Sequence, residues 1–126
     1  MTGRPLLSVD HVHPDAVRRM SEFHPDVVHQ VSDAVSRHDV VVIGMAQNPH
    51  VKNVRKALEG AGIPFTYLEY GSYFSQWQQR LAIKLWSGWP TFPQVFVRGV
   101  LIGGEDLTKG VLGDGSLREM LAKPRA

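Results

Sequence analysis

A chain of 126 residues with 43% hydrophobic and 21% charged residues has the composition of one globular domain, long enough to bury a core without covalent staples. The absence of cysteine excludes disulfides, thiolate metal sites and cysteine nucleophiles together. A formal net charge of +2, with Lys and Arg dispersed rather than striped, argues against nucleic acid as a partner.

The first dozen residues, "MTGRPLLSVDHV", show no sustained period and are expected to form an arm. No charged-then-apolar leader opens the chain and no apolar run approaches the ~18 residues of a membrane span, so the expectation is a soluble, cytoplasmic protein without a membrane partner. "HPDAVRRM" and "HPDVVHQVSDAV" read as helix starts, each with Pro at the first helical position and Asp at the positive end of the dipole. In the second, Val27, Val28, Val31 and Val35 share one face of a helix expected from about Pro25 to Arg37.

"DVVVIGM" (39–45) is a β-branched run that reads as a strand buried on both faces. Val51, Val54, Leu58 and Ala61 then recur at helical spacing until "GAG" and "IP" end the helix. "IPFTYLEY" (63–70) predicts a second strand, "SQWQQRLAIKLW" (75–86) a helix, and "QVFVRGVLIGG" a hairpin turning at Arg98-Gly99. "EDLTKGVLGDGSLREMLA" closes the chain with one or two short helices. A right-handed β-α-β crossover makes the first two strands parallel, and the hairpin adds an antiparallel pair. The result is an α/β domain built on a mixed four-stranded sheet flanked by helices.

Three stretches carry a family resemblance. "GWPTFPQVFV" (88–97) resembles the Trp-Pro-Thr-aromatic-Pro-Gln strand entry of the glutaredoxins, "GVLIGGEDL" (99–107) their Gly-Gly-x-Asp turn, and "QRLAIKLWSGW" (79–89) the helix between. The chain is most similar to the monothiol branch of that family, which implies a thioredoxin-like fold over residues 39–126 with an N-terminal arm and helices over 1–38, together one compact unit. The extension is expected to pack beside the sheet or to join a homodimer contact.

An ungapped match between Gly44 and Gly62 sets Asn48, Pro49, His50 and Val51 on the family's Cys-Pro-x-Cys; a monothiol-style match with a deletion also leaves no cysteine. The family's preceding lysine is missing too, with Met45 or Ala46 in its region. Disulfide exchange needs a thiolate, and the carboxamide of Asn48 cannot replace one. The same loss removes the protein ligand for an iron–sulfur cluster, for which the imidazole of His50 is a remote substitute. Asn48 and Pro49 are open to two readings. They form a helix cap, or Asn48 and the N–H groups of Val51 and Lys52 meet an anionic or thiol group.

The resemblance implies a glutathione site. Thr91, Phe92 and Pro93, with Pro93 as the family's cis-proline, would pair with the cysteinyl part. Gly103, Gly104, Glu105 and Asp106 would receive the γ-glutamyl end, and Arg80 the glycyl carboxylate. The same glycines and proline equally serve to shape the fold without a ligand. Tyr67, Tyr70, Tyr73, Phe74 and Trp77 read mainly as core, with Tyr70 and Tyr73 as candidates for a protein-partner surface. The six histidines (His11, His13, His24, His29, His38, His50) include no i, i+4 pair, so no metal is expected. Ser72, Ser75 and Thr91 lack a nucleophile elbow. The expectation is a thiol-free binding module for glutathione, a similar acidic peptide or a protein partner, requiring no cofactor. Its rivals are an enzyme in which glutathione supplies the sulfur, with His50 as base, and a purely structural domain.

Overall fold

The computed structural model describes residues 3–124. After an exposed arm carrying a short 3-10 turn at Val9–His11, six helices and four strands follow: α1 Pro14–Ser21, α2 Pro25–Arg37, β1 Val40–Gly44, α3 Pro49–Gly60, β2 Thr66–Glu69, α4 Trp77–Ser87, β3 Gln94–Val97, β4 Val100–Gly103, α5 Glu105–Gly113 and α6 Ser116–Ala122. The sheet order is β2-β1-β3-β4. β1 runs parallel to β2, with Val41 opposite Thr66, and antiparallel to β3, with Val40 opposite Val97. β3 and β4 form the antiparallel hairpin. This is the thioredoxin-like arrangement that the resemblance implies.

Burial of β1 on both faces explains its unbroken Val/Ile composition. Val41 and Ile43 point to the layer made by Val31 and Val35 of α2 and Ile83 of α4. Val40 and Val42 point the other way, onto Val54 and Leu58 of α3 and Leu117 of α6. The alternation comes from the two-residue period of a strand, and it places a helical layer on each face. Helix α2, which the sequence assigns to an N-terminal extension, thus contributes Val31, fully buried, to the same core as β1.

The turn residues fit their backbone. Arg98 and Gly99 both have positive φ (51° and 80°), as a two-residue hairpin with native twist demands. Arg98 also fastens two distant segments: its guanidinium donates to the carbonyls of Leu121 (2.7 Å) and Lys123 (3.0 Å) at the end of α6 and pairs with Asp39 (3.1 Å).

Two boundaries differ from the sequence reading. β2 begins at Thr66 rather than at 63, because pairing with β1 starts there and the preceding Pro64 has no N–H to contribute to a ladder. α4 begins at Trp77 rather than Ser75, since Gln76 takes a left-handed conformation (φ 55°) that is incompatible with a helical first turn. The closing segment forms two helices, separated by Asp114, which accepts from the Ser116 amide at 2.8 Å, and by Gly115 at φ 83°. Among the described residues no helix is long and apolar enough to cross a membrane.

Val31 provides a test of whether α2 belongs to the core. Val31→Ala should cost about 2 kcal/mol in urea unfolding, whereas Leu7→Ala in the exposed arm should change stability by less than about 0.5 kcal/mol. Equal, small effects from the two variants would contradict the packing described.

Candidate functional site

At the N-terminus of α3, Asn48 is the cap. Its side-chain oxygen accepts hydrogen bonds from the amides of His50 (2.9 Å) and Val51 (3.2 Å), while its backbone carbonyl accepts from Lys52 (3.2 Å). Pro49 takes the first helical position, where the missing N–H leaves no bond unmade. The cap is 8% exposed. The expectation that the amides of Val51 and Lys52 stand ready for a ligand is therefore corrected: Asn48 satisfies both. Val51, 1% exposed, faces the core and meets no groove.

Arg80 is corrected as well. It is buried in the fold, and its guanidinium donates to the carbonyls of Tyr70 (3.1 Å) and Ser75 (2.5 Å). Both contacts come from Nη1 and close the loop between β2 and α4, and Arg80 does not line the groove described next.

That groove, of about 490 Å³, is lined by His50, Trp89, Thr91, Phe92, Pro93, Gly104, Glu105, Asp106 and Leu107. Three segments meet there: the start of α3, the loop entering β3 and the start of α5. The Phe92–Pro93 peptide is cis. Gln94, wholly buried, ties the loop down by donating from its side-chain amide to the carbonyl of Trp89 at 3.0 Å. Gly103 lies behind the wall rather than in it. Its φ is 127°, and a Cβ there would sit 2.8 Å from Leu107 and 3.1 Å from the Trp89 ring, so the position is closed to side chains by its backbone conformation as well as by packing. Gly104 differs. Its φ is negative, and a Cβ would meet the Pro93 carbonyl and Trp89 Nε1 at an ordinary 3.6 Å.

The groove's charge is concentrated in one cluster. Glu105 accepts from Nδ1 of His50 at 2.7 Å through one oxygen and from Nζ of Lys109 at 2.6 Å through the other. These donors, Lys109 first and then His50 with a smaller contribution from Asn53, hold the Glu105 carboxyl down at about 2 against the usual 4.5. Asp106, exposed, stands on the same rim.

Of the sequence-proposed residues, the structure thus brings His50, Thr91, Phe92, Pro93, Gly104, Glu105 and Asp106 together, and leaves Asn48, Pro49, Val51, Arg80 and Gly103 outside. Trp89 and Leu107 were missed. Trp89 sits inside the very motif that carries the resemblance, and Leu107 falls one turn into α5 on the side of Gly103. Among the described residues no group of three or more His, Asp or Glu side chains is arranged to hold a metal ion.

The aromatic stretch divides differently from its reading. Tyr67 packs on both core layers beneath the Arg55 guanidinium, 3.9 Å from its ring centre, and Tyr70 is half-buried with its hydroxyl donating to Gln30 at 3.0 Å. Tyr73, Phe74 and Trp77 are the exposed members, Phe74 at 95%. A larger hollow of about 770 Å³ lies between α1, α2 and α4, walled chiefly by Met20, Phe23, Val28, Leu85 and Trp86. Unlike the smaller groove, it gathers no cluster of bonded charges.

Two outcomes follow from this geometry. Asn48→Ala should cost about 1 kcal/mol of stability, and Asn48→Asp should retain most of it, measured by urea unfolding; an unaffected Ala variant would show that the cap contributes nothing. Because the Glu105 carboxyl is held low, its contribution to stability is present above about pH 4.5 and is lost as the pH falls toward about 2. Glu105→Gln should therefore lie below the parent protein at pH 6, and the gap should narrow steadily below pH 4.5 and close only below about pH 2. A gap that is independent of pH would contradict the bonded cluster.

Comparison with known proteins places the fold and the groove in context. The glutaredoxin family model matches residues 40–102. A glutaredoxin-like protein of Dictyostelium discoideum is 52% identical over 104 residues, covering 82% of this chain and 85% of that protein. A monothiol glutaredoxin ycf64-like protein of Synechocystis is 33% identical over 103 residues, covering 78% of this chain and 94% of its own. Among solved structures, a buckwheat glutaredoxin in complex with glutathione superposes with a TM-score of 0.67 at 23% identity, covering 79% of this chain and 91% of that one. With its fold, its motif-bearing groove and these relatives in agreement, the chain belongs to the glutaredoxin family, although it contains no cysteine.

Proposed function

We propose that this protein is a thiol-free glutaredoxin that binds glutathione, or a peptide with the same γ-glutamyl and carboxylate ends, in the groove between His50 and Asp106, without itself exchanging disulfides. The observation that carries the reading is the dissociation of two features: the groove is intact, while the redox position holds a structural cap. The lining retains Thr91, Phe92, Pro93, Gly104 and Asp106 in one place. A strand-entry loop offers backbone groups to a peptide-like ligand, and the start of α5 offers amides to a carboxylate with the Asp106 carboxylate beside it for an ammonium group. The buckwheat protein of the same fold holds glutathione, which names the ligand class.

Thiol exchange requires a sulfur nucleophile, and the sequence supplies none. The affinity expected is modest. Arg80 is engaged elsewhere, the lysine of the family is replaced in the 45–46 region, and the capped helix has no free amides to add. Without those anchors, binding in the millimolar to high micromolar range, about 4–6 kcal/mol, is the scale to look for.

An NMR titration with reduced glutathione tests the proposal. Amide shifts should map to Thr91, Phe92 and residues 104–106 and saturate at millimolar ligand. Gly104→Ala, whose new methyl has room in the fold but narrows the groove, should weaken binding by roughly tenfold with stability nearly unchanged. Gly103→Ala should instead destabilise the fold itself, because a side chain is strained at φ 127° and its Cβ would crowd Leu107 and Trp89. No response at millimolar glutathione would overturn the ligand reading and leave a structural domain.

A further inference from the structure

The cluster of His50, Glu105 and Lys109 has a consequence that depends on the binding just proposed. An ionised carboxylate only accepts hydrogen bonds, so the 2.7 Å contact between Glu105 and His50 obliges Nδ1 to carry its hydrogen. In the neutral ring the lone pair then belongs to Nε2, a tautomer fixed by its neighbour in the manner of carboxylate-oriented imidazoles. Among the described residues no group is bonded to Nε2, and the His50 side chain is 66% exposed where it lines the groove. The imidazole is thereby oriented and held from one side, with its basic atom on the other.

We infer that His50 is the proton acceptor for the thiol of a small-molecule ligand in this groove, converting bound glutathione or a similar thiol to its thiolate. The step is a proton transfer alone: the ligand's S–H bond breaks, the N–H bond at Nε2 forms, and the electron pair stays on sulfur. Glu105 remains ionised throughout and stabilises the imidazolium that results. The reactive sulfur that relatives carry in the chain would here arrive with the ligand, and the capped helix and the oriented base would supply its setting.

The charges facing His50 set the strength of the effect. On α5, the Glu105 carboxylate lies against the ring and the Asp106 carboxylate stands on the same rim. Lys109 shares the Glu105 charge, its Nζ donating to the second oxygen at 2.6 Å. On α3 itself, Asn53 is the further neighbour bonded to Glu105. The loop of residues 89–93 contributes no charged side chain.

The test follows the thiolate absorbance near 240 nm while the complex with glutathione is titrated with base, alongside NMR of the His50 ring. The bound thiol should ionise at least about one pH unit below the free thiol, a tenfold change in proton affinity. The His50 ring should become protonated on addition of glutathione but not of S-methylglutathione, which lacks the proton. His50→Gln should abolish the displacement of the thiol titration, and Glu105→Gln should reduce it, since an amide orients the ring without neutralising its charge. Glutathione that binds with groove shifts yet titrates as the free thiol, or a displacement that survives in His50→Gln, overturns this inference and leaves the binding proposal standing. Absence of any groove shift in the parent protein overturns both.

Discussion

The carboxamide oxygen of Asn48 holds the first turn of α3, and the rest of the site depends on that bond. By accepting from the amides of His50 and Val51, it fixes where the helix begins. His50 is then placed over the start of α5, within reach of Glu105, and Val51 is pressed into the core against Gly44. A helix N-terminus has several amides without intrahelical partners, which is why it attracts anions and stabilises thiolates in proteins that leave it open. Here an internal acceptor closes it. The position that the family resemblance assigns to a reactive cysteine has thus become a structural element with a hydrogen-bonding duty of its own.

Closure of that helix end shifts the chemistry sideways. The groove's ionic character lies not at the α3 amides but in the His50–Glu105–Lys109 cluster, formed by residues on two helices that pack together. The remaining wall is shape rather than charge: the cis Phe92–Pro93 loop held by Gln94, and the glycine turn that lets Trp89 and Leu107 close over Gly103. Such a site suits a ligand recognised along its backbone. It also explains why the double glycine has two separate meanings, the first residue closed to side chains by its positive φ and its packing, the second having room for one but leaving that space to the groove.

The sequence made the architecture legible wherever one local rule decided the outcome. The run Val40–Gly44 has too many β-branched residues for anything but a strand covered on both sides. The two His-Pro-Asp starts declare their helices, and Arg98-Gly99 supplies the positive φ that a short hairpin turn requires. The motifs at 88–107 located most of the groove. What stayed hidden depended on partners far along the chain. Nothing local distinguishes Arg80 as a buried clamp on the carbonyls of residues 70 and 75 from an arginine reaching for a ligand. The pairing of His50 with Glu105 spans 55 positions and appears only once the sheet sets α3 beside α5. The aromatic stretch misled for a related reason. Phe74 lies in a loop whose direction is set by the left-handed Gln76 and by Arg80, so its hydrophobicity did not decide its burial. Arg98 looked like a turn residue and proved also to fasten the C-terminal helix.

The most direct test of the central claim, a groove that holds its ligand without exchanging electrons, is to incubate the purified protein with a glutathionylated peptide in the absence of any other thiol and to follow release of the peptide by mass spectrometry. The account predicts that the mixed disulfide remains intact at all protein concentrations, while Asn48→Cys, by restoring sulfur at the helix start, releases the peptide. Release by the unaltered protein would contradict the account.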